Sequence, residues 1–131
     1  MKFLPTHLHA AFDYVCGFAL IFIPHAFAMS NNAGTDVLPA GYWALQLAGF
    51  FILIQSLMTR YECGVLRIVT MNTHLLNERL VGVVLAVSPW VFDFHVAGDI
   101  SWIPHCAIGG ALALGSLVTR EKPERALEPA F

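Results

Sequence analysis

Four apolar stretches, each close to the length of one bilayer crossing, constrain this chain more than any other feature. They run from about His9 to Met29, Gly41 to Met58, Leu75 to Phe92 and Trp102 to Val118. A helix needs about 20 apolar residues to cross the hydrocarbon core. A chain of 131 residues therefore has room for at most four or five spans with short connections, and a second domain is not expected. Charged residues make up 12% of the chain, against about 25% in soluble domains, too few to hydrate the outside of a soluble bundle. The expected fold is an all-α membrane protein, one transmembrane domain over residues 1–131. A net charge of −2 with seven Lys and Arg lacks the basic stripe that a nucleic-acid partner requires.

The connections are of two kinds. Ser30-Asn31-Asn32-Ala33-Gly34 with Pro39, and Asp93 to Ser101 with Gly98 and Asp99, are turn chemistry. Thr59 to Thr73 carries Arg60 and Arg67 among Val65, Leu66, Ile68, Val69 and Met71, the make-up of an amphipathic segment at headgroup level. With four spans, Lys2, Arg60, Arg67, Arg79, Arg120, Lys122 and Arg125 all fall on one side, while the opposite loops hold only Asp36, Asp93 and Asp99. Basic residues stay cytoplasmic, so both termini are expected in the cytoplasm. Trp43, Trp90 and Trp102 lie near the outer ends of their spans, at the level that amphipathic rings favour. The first span contains His9 and Asp13 and lacks a clear cleavage site, which predicts a retained helix rather than a removed leader. Cys16, Cys63 and Cys106 form no CxxC pair and read as small core residues or free thiols.

The chain matches itself. Shifting by 65 residues places His9 on His74, Asp13 on Glu78, Gly17 on Gly82, Leu20 on Leu85, Pro24 on Pro89 and Phe27 on Phe92. Shifting by 60 places Gly49 on Gly109 and Ser56-Leu57-Met58-Thr59-Arg60 on Ser116-Leu117-Val118-Thr119-Arg120. Two tandem helical hairpins are expected, repeat one at about 6–60 and repeat two at about 73–120. Both hairpins enter from the same side, which predicts a pseudo-twofold four-helix bundle about an axis along the membrane normal.

Ser88-Pro89-Trp90 near the end of the third span, inside a hairpin that occurs twice, resembles the SPW repeat family of small bacterial membrane proteins. The resemblance covers roughly Thr6 to Arg120, although the first half has Ile23-Pro24-His25 and shares only the proline. It implies a membrane-embedded bacterial protein built on this repeat, and it implies no activity; the inner membrane is the expected location.

Two clusters could carry chemistry. His9 with Asp13, and His74 with Glu78, are each four apart on a helix and so share a face. Gly17 and Gly82 continue those faces, and with Gly49 and Gly109 they would let helices approach closely. If the halves meet there, two imidazoles and two carboxylates converge near the cytoplasmic end. Such a set suits a divalent metal or a proton relay. The reading preferred from sequence is simpler: each histidine satisfies its own acid at the membrane boundary, with Arg79 as a further partner for Glu78 and no cofactor. The second cluster is His25, His95 and His105 at the outer side, a possible haem or copper set. The repeat register argues against it, since His25 corresponds to Trp90 and His105 to Leu45.

Pro24 and Pro89, about one turn from the outer ends, are expected to close their hairpins by kinking or ending a helix. Asn77, Gln46, Gln55 and Ser56 are candidates for hydrogen bonds between helices. The chain has no Gly-rich phosphate loop, no Ser/His/Asp set and no Cys/His nucleophile in a plausible setting. The function expected is therefore non-enzymatic and accessory, packed against other membrane proteins or copies of itself. A metal- or haem-carrying redox or sensor protein and a small transporter or channel are the alternatives.

Overall fold

The computed structural model describes residues 2–26, 40–95 and 102–122. The turn segments expected at 30–39 and around Gly98 and Asp99, together with Phe27, Met29, Asp36 and Arg125, lie outside the described residues. The described chain is all-helical: α1 (Thr6–Ala26), α2 (Ala40–Met58), α3 (Met71–Val91) and α4 (Trp102–Val118). At about 1.5 Å per residue, the 21 residues of α1 and the 19 of α2 match a hydrocarbon core of about 30 Å. Both are long and apolar enough to cross a membrane, and α4 is a shorter apolar helix.

α1 and α3 begin three and four residues earlier than the apolar stretches suggest. The reason is visible at α3, where Thr70 caps the helix by accepting the Thr73 N–H at 3.3 Å. Polar residues ahead of an apolar run thus belong to the helix. Pro24 and Pro89 both lie inside their helices. Pro89 cannot donate to the carbonyl of Leu85, and the Ser88 hydroxyl donates to that carbonyl instead at 2.7 Å. Ser-Pro at this point keeps the last turn of α3 bonded. Phe92 closes the helix and Asp93 follows in the left-handed region at φ 57°.

Residues 59–70 contain no helix. They fold back over the end of α2: Val65 and Leu66 donate to the carbonyl of Leu57, and Ile68 and Val69 to that of Met58, at 2.8–2.9 Å. These are among the carbonyls a helix end leaves without partners. Arg60 N–H then donates to Val69 at 2.9 Å. The end of α4 is closed in the same way by the N-terminal strand of chain, with Phe3 and Leu4 donating to Val118 and Arg120 donating to Leu4. Two isolated bridges, Leu4 with Thr119 and Thr59 with Val69, mark these closures. Val65, Leu66 and Ile68 are left exposed beside Arg60 and Arg67.

The helices alternate in direction. α1 packs most extensively on α2 and α3 on α4, while α1 and α3 lie diagonally with no close backbone approach among the described residues. Within each adjacent pair two glycines meet. A Cβ on Gly49 would sit 2.9 Å from the Gly17 carbonyl, and one on Gly82 2.6 Å from the Gly109 carbonyl. The glycines therefore bring helices together inside each adjacent pair, not across the diagonal where the sequence reading placed Gly17 and Gly82. Helix geometry explains the difference: eight residues at 3.6 per turn rotate a side chain by about 80°. Gly17 thus faces α2 while His9 faces the bundle axis.

The core has two parts. Cys16, Leu20, Leu45, Ala48, Ile52, Leu85 and Leu112 fill the middle, and Ala10, Tyr61, Met71 and Leu75 close the end that carries residues 59–70. Large apolar side chains also cover the outside, among them Phe18, Phe22, Phe50, Val84 and Leu114, each more than half exposed.

Candidate functional site

α1 and α3 each place a histidine and an acid one turn apart on the face that looks along the diagonal. His9, Asp13, His74 and Glu78 are all 0% exposed, so neither water nor headgroups reach them, contrary to the boundary pairing expected from sequence. Their contacts also cross between helices. His74 Nε2 lies 3.0 Å from Asp13 Oδ2 and His9 Nε2 lies 3.1 Å from Glu78 Oε2, both closer than the local His9–Asp13 approach of 3.4 Å. The two rings meet edge to face with centroids 5.5 Å apart. One nitrogen or oxygen from each of the four residues lies within 4.8 Å of the others.

The outer nitrogens of both rings are fixed by threonines. Thr59 Oγ1 is 2.7 Å from the Gln55 carbonyl and 2.7 Å from His74 Nδ1. Thr119 Oγ1 is 2.7 Å from the Gly115 carbonyl and 3.0 Å from His9 Nδ1. A hydroxyl has one hydrogen and a carbonyl only accepts, so each threonine donates to its carbonyl. Each histidine must then donate its Nδ1–H to the threonine. The network thereby assigns the tautomer, and both Nε2 atoms turn inward to the carboxylates. Asp13 Oδ2 additionally accepts from Ser56 at 3.2 Å and from Tyr61 at 3.4 Å. Burial, then the nearby Asp13 carboxylate, pushes the Tyr61 hydroxyl above its ordinary pKa, so Tyr61 stays a neutral donor.

The inward atoms are unsatisfied. His9 Nε2, His74 Nε2, Asp13 Oδ1 and both Glu78 oxygens make no hydrogen bond of acceptable geometry. Leaving buried polar atoms unpaired costs about 1–3 kcal/mol each, more for charged groups. Arg79, expected beside Glu78, donates instead to Ser116 Oγ at 3.3 Å, because adjacent helix residues point about 100° apart. Imidazole and carboxylate donors converging on one point have two chemical uses here: holding a cation or sharing protons.

The helix-bridging amides are placed as bonds between elements. Asn77 donates to Gln55 at 2.9 Å, Gln55 to the His74 carbonyl at 3.2 Å, and Gln46 to the Ile21 carbonyl at 2.8 Å. The three outer histidines do not form a common group. His25 lies against Gln46 and Tyr42, His95 stacks on Trp90, and His105 reaches the Gly41 carbonyl at 2.9 Å beside Phe94. Among the described residues, the inner tetrad is the one group of three or more metal-capable side chains. Thr59, Thr119, Ser56 and Tyr61 belong to its surroundings and were not singled out from sequence for it. The duplicated Ser-x2-Thr-Arg run already contained the signal for three of them.

The SPW repeat domain model matches residues 7–119, most of the chain. No curated relative and no solved structure matches it. The chain belongs to the SPW repeat family, a family of small membrane proteins.

Proposed function

We propose, on the premise that this is an SPW repeat protein, that it is a duplicated helical hairpin crossing a bacterial cytoplasmic membrane four times in a non-enzymatic, accessory role. The observation that carries this reading is the outer surface. Phe18 and Phe22 on α1, Phe50 and Ile54 on α2, Val84 and Val87 on α3, and Leu114 and Leu117 on α4 all face outward. Contiguous apolar surface on every helix is costly in water and neutral in lipid. The duplication is supported by the matched closures, Phe3 and Leu4 on Val118 against Ile68 and Val69 on Met58, at the 65- and 60-residue shifts of the sequence.

Orientation is supported by charge. Lys2, Arg60, Arg67, Arg79, Arg120 and Lys122 gather at the end where α1 and α3 begin and α2 and α4 finish. The tryptophans occupy the other end. An apolar groove of about 550 Å³ between α2 and α3, lined by residues such as Leu47, Phe51, Leu80 and Val84, is the proposed seat for a transmembrane helix of another integral membrane protein. The mid-bundle core of Leu20, Leu45, Ile52, Leu85 and Leu112 favours this role over a conduit.

Reporter fusions after Arg60 and Lys122 should both read cytoplasm, and one at Asp93 should read the outside; an outside signal at Arg60 rejects the topology. A photo-crosslinker at Val84, in native membranes, should join the chain to another membrane protein. Adducts with a second copy would replace the other membrane protein by self-association in this groove, and adducts with lipid alone would reject the accessory role.

A further inference from the structure

We propose that His9, Asp13, His74 and Glu78 form a closed, four-ligand site for one divalent transition-metal ion of the zinc class. The inference rests on the geometry of the tetrad and not on the accessory role.

Convergence of four donors favours a metal over a proton. Each Nε2 lies within 3.0–3.1 Å of a carboxylate oxygen from the opposite helix, yet neither makes a hydrogen bond of acceptable geometry. The four donors gather at one place, one nitrogen or oxygen from each residue within 4.8 Å of the others. A proton needs a straight N–H···O line; a metal needs donors aimed at a shared centre. Zinc bonds of about 2.0–2.2 Å in a tetrahedron put donors about 3.3–3.6 Å apart. The separations of 3.0, 3.1 and 3.4 Å are close to that scale, and with every donor within 4.8 Å of the others an ion would open the shortest pairs by a few tenths of an ångström and draw the wider ones in.

The surroundings are those of a metal ligand set. A ligating histidine donates its other ring N–H to a fixed acceptor, which holds the ring and its tautomer. Thr119 does this for His9 and Thr59 for His74. Two carboxylates and two neutral imidazoles balance a 2+ ion, so the filled site is neutral in its apolar setting. Two imidazoles disfavour magnesium and calcium, which take oxygen donors, and suit zinc and its neighbours. All four ligands are 0% exposed, the closed form of a structural site rather than a catalytic one with an open position. The ion would tie α1 to α3, the diagonal pair whose backbones do not otherwise meet among the described residues.

The test is metal content of the whole chain purified in mild detergent without chelators. About one zinc per chain is expected. His74→Ala and Glu78→Gln should each lower it about tenfold or more, while His105→Ala, at a buried histidine outside the tetrad, should leave it unchanged. Where a variant fails to fold, the wild-type chain decides: stripping with a chelator should lower its melting temperature, and Zn²⁺ but not Mg²⁺ should restore it. Co²⁺ added to the stripped chain should give the visible absorption of four-coordinate cobalt. Absence of bound metal together with no cobalt absorption overturns the proposal and leaves the tetrad to protons. Metal retained in both His74→Ala and Glu78→Gln overturns it as well.

Discussion

Gly109 and Gly110 are neighbours on α4, and replacing each by alanine isolates what close helix packing contributes. A Cβ on Gly109 would lie 2.6 Å from both the Ala86 nitrogen and the Gly82 carbonyl oxygen, while one on Gly110 meets nothing within 4 Å. The obstacles at Gly109 are backbone atoms, so no side chain can swing aside. The new methyl falls about 0.8 Å short of the 3.4 Å at which ordinary contact begins, and α3 and α4 must separate to admit it. Overpacking of this kind costs about 1–3 kcal/mol. Both substitutions gain the same helix propensity, about 0.8–1.0 kcal/mol, which cancels between them. Gly110→Ala should therefore be as stable as the parent chain or better, and Gly109→Ala about 1–3 kcal/mol less stable than Gly110→Ala. Reversible unfolding in mixed micelles with increasing SDS, followed by tryptophan fluorescence, measures the difference. Equal stability of the two variants would refute backbone contact between α3 and α4. Gly17→Ala adds a graded case, because its nearest obstacle is the movable Leu53 side chain at 2.6 Å; it should fall between them.

A Cβ on Gly64 would lie 1.8 Å from the Thr59 carbonyl oxygen, so Gly64→Ala should open residues 59–70, cost more than about 3 kcal/mol, and show as new protease cleavage there. Asp93, in the left-handed region at φ 57° after α3, should be replaceable by glycine with a gain of up to about 1 kcal/mol, read in the same micelle titration. Thr119→Val removes the acceptor of the His9 Nδ1–H and should cost about 1–3 kcal/mol. Thr59→Val should do the same through His74, whereas Thr119→Ser should be close to neutral.

Helix number and type were legible because length and apolar content decide them, and the i,i+4 rule correctly put each histidine and its acid on one face. The rule failed where a different helix supplied a nearer partner. His9 approaches Glu78 more closely than Asp13, since these buried side chains reach across the diagonal between α1 and α3. Arg79 shows the same limit from the other direction: adjacency to Glu78 in sequence suggested a pair, and the helix turned it to Ser116. The segment at 59–70 carried the expected mixture of arginines and apolar residues, but its conformation was hidden because the unbonded carbonyls of Leu57 and Met58 decide it. No periodicity in the segment itself reports those.

Reciprocity between the halves explains why the polar chemistry sits where it does. His9 takes its orienting threonine from the end of α4 and His74 takes its own from the end of α2, so neither helical pair can complete a ring–threonine contact by itself. The acids exchange in the same sense, Asp13 with His74 and Glu78 with His9. These contacts bring two histidines and two acids together between α1 and α3, where each histidine meets the acid of the opposite helix. The far end is less closely matched. There Ile23-Pro24-His25 and Ser88-Pro89-Trp90 differ, His25 lies against Gln46 and Tyr42, and Trp90 stacks on His95. At the tetrad end the halves are tied to one another by mutual satisfaction, whereas at the other end His25 and Trp90 find partners within their own hairpin and His105 crosses to the Gly41 carbonyl.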